Sequence, residues 1–219
     1  MRKFLVPILA MMLLAGCALS RTQTPTAIYD FGLGGSTVAS GAADTSADQP
    51  RLSSSLLVAA TSPAWLDNTA IQYRLVYHDP ARSYTYASSR WSAAPATLLT
   101  QRIKSRIAGV SNDGVVSAGD GVRADYALRL ELEEFTQVFD TPDQSRALIR
   151  LRASLIERST RSLLAQRSFS IEQAAPAANA AGAVRSLTEA SDKLIESLID
   201  WLAEKLPEET KELPQNPQP

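Results

Sequence analysis

The sequence predicts an α+β fold: a mostly antiparallel sheet with two helices packed on one face, in a single domain. Three observations carry this. Residues 125–172 alternate apolar and polar side chains with a period of two, the pattern of a sheet covered on one side only. Residues 95–110 and 181–206 carry apolar side chains at helical spacing. The stretches before residue 95 are rich in aromatic and β-branched residues, which suit strands. Composition agrees: 219 residues, 45% hydrophobic and 21% charged, are enough for one folded core.

Ile28 to Leu33 reads as a short strand tied into the main sheet. Leu52 to Ala60 is a mostly apolar run ended by Ser-Pro, a buried strand, and Ala70 to Tyr77 and Ser83 to Trp91 are two more. Pro95 opens an amphipathic helix with Leu99, Ile103 and Ile107 on one face and Leu98 and Val110 beside them. Asn112-Asp113-Gly114 ends it, and Val115-Val116 starts a short strand.

An antiparallel meander follows. Tyr126, Leu128, Leu130 and Leu132 alternate with Ala127, Arg129, Glu131 and Glu133. After the turn Thr141-Pro142-Asp143 come Ala147, Ile149, Leu151, Ala153 and Leu155, and after Arg158-Ser159-Thr160 come Leu163, Ala165, Phe169 and Ile171. The polar faces match only where paired residue numbers sum to an odd value, and one admissible register sets Glu133 opposite Arg150 and Glu131 opposite Arg152, each pair contributing ~0.2–1 kcal/mol. The apolar parity then switches from Leu132 to Phe135 and Phe139, so a β-bulge, or a strand leaving the core, is expected near Glu134. The second helix, from about Ala181 to Leu206, carries Val184, Leu187, Leu194, Leu198 and Trp201 on one stripe, widened by Ile195, Ile199 and Leu202.

Ahead of this domain, Arg2 and Lys3 precede an apolar run from Phe4 to Ala15. The run is shorter than the roughly 20 residues a membrane span needs and fits a secretory signal. It ends in Leu14-Ala15-Gly16-Cys17, which resembles the lipobox of bacterial lipoproteins. The resemblance implies cleavage after residue 16, a diacylglycerol thioether on the Cys17 sulfur and an N-acyl chain on its amine. One acyl chain anchors only marginally at ~0.8 kcal/mol per buried methylene; three hold essentially permanently. Ala18, rather than Asp, after the cysteine implies the periplasmic face of the outer membrane. The domain map is then residues 1–16 signal peptide, 17–26 lipidated cysteine and spacer, 27–206 folded domain with a flexible Gly/Ala/Ser/Asp-rich loop at 34–50, and a Pro-rich disordered tail at 207–219.

The same counts exclude several functions. The −1 charge balance becomes −3 once Arg2 and Lys3 leave, giving no basic field to track nucleic acid. One cysteine excludes an intrachain disulfide, and one cysteine with one histidine excludes the usual zinc sets. No other cofactor is expected. His78 lies at a strand end before Pro80; its neighbour Asp79 points to the opposite face and cannot orient it as in a catalytic triad. Glu131, Glu133 and Glu134 read as a solvated strand face opposite arginines rather than a metal or acid pair. Gly32-Leu33-Gly34-Gly35 lacks the helix and lysine of a phosphate loop.

The aromatics Trp65, Tyr73, Tyr77, Tyr84, Tyr86 and Trp91 fall within 27 residues. Core packing accounts for most of them; the functional reading is a partner- or lipid-facing surface. Trp65, with Ser-Pro before it and Leu-Asp-Asn after it, is the first candidate contact, with Tyr84 and Tyr86 beside it. Trp91 reads as core.

Taken in order, the lipobox, Ser62-Pro63-Ala64-Trp65-Leu66-Asp67, Tyr73-Arg74-Leu75, Tyr84-Thr85-Tyr86-Ala87-Ser88-Ser89-Arg90-Trp91, the Pro95 helix, Glu134-Phe135 and the Gly182-Ala183-Val184 helix start resemble the ABC-type transport auxiliary lipoprotein family, the PqiC-like lipoproteins. The resemblance spans residues 17–206 and implies a non-enzymatic periplasmic component of an MCE-type ABC lipid transport system, with an MCE-domain protein as partner, the membrane reached through the lipid anchor, and a homo-oligomer as an option. The alternative is a general envelope lipoprotein serving another outer-membrane complex. A lipid hydrolase would need a nucleophile–base set that the chain lacks.

Overall fold

A computed structural model describes residues 25–32, 52–111, 114–116 and 120–207. Ten elements follow in order: β1 (Ala27–Tyr29), β2 (Leu56–Thr61), β3 (Ala70–Leu75), β4 (Asp79–Trp91), α1 (Pro95–Val110), β5 (Val115–Val116), β6 (Tyr126–Phe139), β7 (Ser145–Glu157), β8 (Ser162–Ala174) and α2 (Ala180–Lys205). Every expected element forms, with moved ends. The first long strand starts at Leu56, and Leu52 keeps only a single parallel bridge to Ser111. The turn at 76–78 stops β3 at Leu75 and lets β4 begin at Asp79.

The eight strands form one mixed sheet rather than a mostly antiparallel one. The β6–β7–β8 meander is antiparallel as expected, and so is β3–β4. The pairs β1–β4, β2–β5, β2–β6 and β3–β6 are parallel. Period-two alternation reports which face a side chain takes and carries nothing about strand direction. Direction is set by connectivity: the chain from β2 to β6 passes through α1, the kind of long crossover that parallel neighbours require.

β6 organises the sheet. One edge pairs with β7 along its whole length. On the other edge β2 pairs residues 126–131 and β3 pairs residues 137–139. Residues 62–69 leave the sheet between these two pairings and form the turn that carries Trp65.

The bulge expected near Glu134 is present between Leu132 and Glu134. It preserves one expected pair and corrects the other: Glu131 faces Arg152, but Arg150 faces Glu134 rather than Glu133. Glu133 is the extra residue, and it turns to Arg152, which therefore holds both Glu133 and Glu131, the latter at 3.2 Å.

Both helices cover the same face. Pro95 suits the first helical turn of α1, where no amide donor is needed, and Leu99, Ile103 and Ile107 are fully buried. Asn179 caps α2 by accepting from the Gly182 amide at 2.9 Å. Leu187, Leu194, Leu198 and Leu202 of α2 meet Leu130, Leu132, Leu151 and Phe135 of the sheet in one core. A bidentate pair, Arg102 Nε and Nη2 to Asp192 at 2.7 Å each, ties α1 to α2, and Arg102 Nη1 donates to the Phe31 carbonyl at 2.9 Å. Among the described residues no helix is long and apolar enough to cross a membrane.

Candidate functional site

Cys17, with Leu14, Ala15 and Gly16, lies outside the described residues, as do the 34–50 loop and the tail beyond residue 207. The three aromatic candidates are described, and the fold divides them.

Trp65 stands in the turn between β2 and β3. The amides of Leu66 and Asp67 both donate to the Pro63 carbonyl, at 2.9 and 3.1 Å. Asn68 Nδ2 and Gln72 Nε2 both donate to the Trp65 carbonyl, at 2.7 and 2.8 Å. Leu66 is driven inward and Trp65 is left 41% exposed. The Arg74 guanidinium lies over the indole at 5.8 Å and pairs with Glu134 at 3.6 Å. Phe135, next to Glu134, is core, so Arg74, Glu134 and Trp65 lie on the sheet face opposite the helices.

Tyr84 and Tyr86 lie on the other face. Tyr73 stacks on Tyr84 with centroids 5.3 Å apart, and Tyr86 and Phe139 close around it at 4.8 and 5.7 Å. Arg82 lies 4.8 Å over the Tyr84 ring. Tyr86 Oη donates to Gln137 Oε1 at 2.6 Å, and the amide of Gln137, fully buried, donates to Ser145 Oγ at 2.8 Å and to the Ala177 carbonyl at 3.4 Å. Burial first, and the neighbouring Tyr73 second, push the Tyr86 hydroxyl up to about 12. Both tyrosines are half-buried; Tyr77, at the β3–β4 turn, is 48% exposed. Trp91 is 1% exposed, packed against Phe31 and Phe135.

The remaining acidic candidates are held in structural roles. Asp79 Oδ1 accepts from the Ala81 amide at 3.0 Å and closes its own turn. His78 is exposed in that turn. The glutamates face Arg152 and Arg74. Asp30 Oδ1 accepts from the Gly32 amide at 2.7 Å, with Gly32 at φ +71°, which makes that glycine a turn residue. Among the described residues no group of three or more His, Cys, Asp or Glu could hold a metal. The buried Gln137 node went unread in the sequence, because a lone glutamine in an alternating strand reads as surface.

The class these features define is a one-domain α+β module with one sheet face under two helices and, among the described residues, no helix over the other. The chain belongs to the ABC-type transport auxiliary lipoprotein family: the model of the ABC-type transport auxiliary lipoprotein component matches residues 37–198. No curated protein matches the chain. Two crystal structures share the fold. A Xanthomonas campestris protein is 21% identical, with a TM-score of 0.64 over 73% of this chain and 89% of its own. An uncharacterised protein is 14% identical, with a TM-score of 0.58 over 82% of this chain and 99% of its own. The protein is thus an auxiliary lipoprotein component of ABC-type transport.

Proposed function

We propose that the protein is anchored through the acyl chains on Cys17 to the periplasmic face of the outer membrane and acts there, without catalysis, as the docking component of an MCE-type ABC lipid transport system. The observation that carries this is membership of the auxiliary lipoprotein family in a chain whose one cysteine closes a lipobox. The described acidic side chains support it, since Asp79 is occupied in its own turn and Glu131, Glu133 and Glu134 in ion pairs with arginines. The transport partner, an MCE-domain protein, meets the aromatic end of the β3–β4 hairpin, where Tyr77 is exposed and Tyr84 and Tyr86 stand on a rigid base.

The test is acyl labelling and capture of the partner from detergent-solubilised envelopes. Wild type should label, sediment with outer membranes and capture the MCE-domain protein. Cys17→Ser should lose label and membrane, yet capture the partner in detergent, because the folded domain makes the contact. Tyr84→Ala should weaken capture, a well-packed anchor being worth ~2 kcal/mol or more, roughly 30-fold. If wild type captures no transporter subunit, the transport reading fails and the general envelope role replaces it.

A further inference from the structure

The bare sheet face has a distinct end near the chain's entry into the fold. Tyr29 and Trp91 pair across β1 and β4 and turn into the core. Strand alternation therefore sends their neighbours Ile28 and Arg90 to the opposite face, where Ile28 is 58% exposed and Arg90 is exposed as well. Arg90 makes no ion pair among the described residues. The Trp65 turn adjoins them: the Trp91 amide donates to the Thr69 carbonyl at 2.7 Å, and Asn68 links the Ala70 amide to the Trp65 carbonyl at 2.8 and 2.7 Å. An exposed isoleucine on β1, a guanidinium on β4 without an ion pair among the described residues and an exposed indole in the turn that leads into β3 thus lie along neighbouring strands of one face.

The described chain enters the sheet at this end. β1 begins at Ala27, paired with Ser89, one residue from the Arg90–Ala70 pair. Nine residues, 18–26, lie between Cys17 and Ala27, and the ten steps from one to the other reach at most about 36 Å when fully extended.

We propose that this margin, centred on Ile28, Trp65 and Arg90, rests on the phospholipid surface that holds Cys17. The inference builds on the reading of Cys17 as the lipidated residue. Its chemistry suits a bilayer interface: an indole places an apolar body and an N–H at headgroup depth, and a guanidinium pairs with phosphate oxygens. A contact too weak to recruit a free protein is sufficient for a tethered one, whose local concentration near the surface is set by a short linker. The Tyr84–Tyr86 side of the sheet is then left facing away from the bilayer, toward the partner.

The chain contains three tryptophans, and Trp91 and Trp201 are buried at 1% and 3% exposure, so Trp65 is a built-in reporter. The acylated protein is reconstituted into phosphatidylethanolamine–phosphatidylglycerol vesicles with and without brominated acyl chains, and its tryptophan emission is read after flotation. Bromination should quench part of the wild-type emission. That quenching should vanish in Trp65→Phe, weaken in the Ile28→Asp/Arg90→Glu double variant, and leave partner capture by Trp65→Phe in detergent unchanged. Protein that floats with the vesicles but shows no quenching overturns the inference while leaving the anchor intact. Loss of partner capture by Trp65→Phe also overturns it, by giving the indole to a protein. Protein that does not float removes the anchor and the inference together.

Discussion

Gly182 stands in the first turn of α2, where the chain from β8 folds back against the new helix. A Cβ at this position would sit 1.9 Å from the Ala177 carbonyl oxygen and 2.7 Å from its carbon. Ordinary C···O approach needs roughly 3.3 Å, so Gly182→Ala must push two backbone segments apart by more than an ångström. Neither can yield freely. The Gly182 amide is held by the Asn179 side chain at 2.9 Å, and the Ala177 carbonyl accepts from the buried Gln137 amide. Overpacking of this kind costs about 1–3 kcal/mol, and a disturbed cap adds up to ~1 kcal/mol. Against this, alanine gains about 1 kcal/mol over glycine in a helix. An approach of 1.9 Å to backbone puts the overpacking at the upper end of its range, so the net expectation is a loss of about 2–3 kcal/mol, which for a chain of this size lowers Tm by about 5–10 °C.

Gly109 in α1 is the control. It is exposed, and a Cβ there meets nothing within 4 Å, so Gly109→Ala should stabilise by up to ~1 kcal/mol. Thermal unfolding by circular dichroism of the two variants should give Tm shifts of opposite sign. A Gly182→Ala protein as stable as wild type would refute the close-approach argument, since the same helical gain applies at both sites.

Asp192→Ala should lower the urea midpoint without changing the slope. Arg102, only 10% exposed, would lose both of its 2.7 Å bonds to Asp192; because Asp192 is 30% exposed, the usual cost of breaking a buried pair shrinks to about 1–3 kcal/mol, and an unchanged midpoint would show that α1 and α2 do not depend on the pair. Alkaline pH should also destabilise the domain. Tyr86 keeps its proton in the folded state up to about 12 but loses it near 10 when unfolded, so its stabilising contribution is complete below pH 10 and is lost as pH rises toward 12; Tyr86→Phe should flatten that part of the stability–pH curve, and an identical curve would contradict the assignment.

Legibility followed the physics of each signal. Burial of one strand face leaves a period-two record, so β6, β7 and β8 were readable almost residue by residue, and so were the buried stripes of α1 and α2. The bulge and its place near Glu134 were readable as a parity error between Leu132 and Phe135, but the residue it leaves over was not. Charge matching alone cannot say whether Glu133 or Glu134 is the residue left over; the structure sets Glu134 opposite Arg150 but pairs its carboxylate with Arg74, and gives both Glu131 and Glu133 to Arg152. Strand direction left no trace, because parallel and antiparallel neighbours bury the same alternating side chains. The cap at Asn179 was equally silent, since it competes with the small residues around it for the same position.

The separation of Trp65 from Tyr84 and Tyr86 has a specific cause in β4. Between the pairs Ala70–Arg90 and Gln72–Thr85, β3 advances two residues while β4 advances five. Three residues of β4 are therefore extra, an odd number, and an odd insertion reverses which face the following side chains take. That reversal brings Tyr86 and Trp91, five apart and so on opposite faces of a regular strand, onto the same core side. Read along the chain, the aromatics form one cluster; folded, two tyrosines brace the covered face beside Gln137 while Trp65 is left on the bare one. This irregularity in β4 therefore separates the exposed indole from the tyrosine pair, and a β4 with regular register would place Tyr84 and Tyr86 on the same side as Trp65.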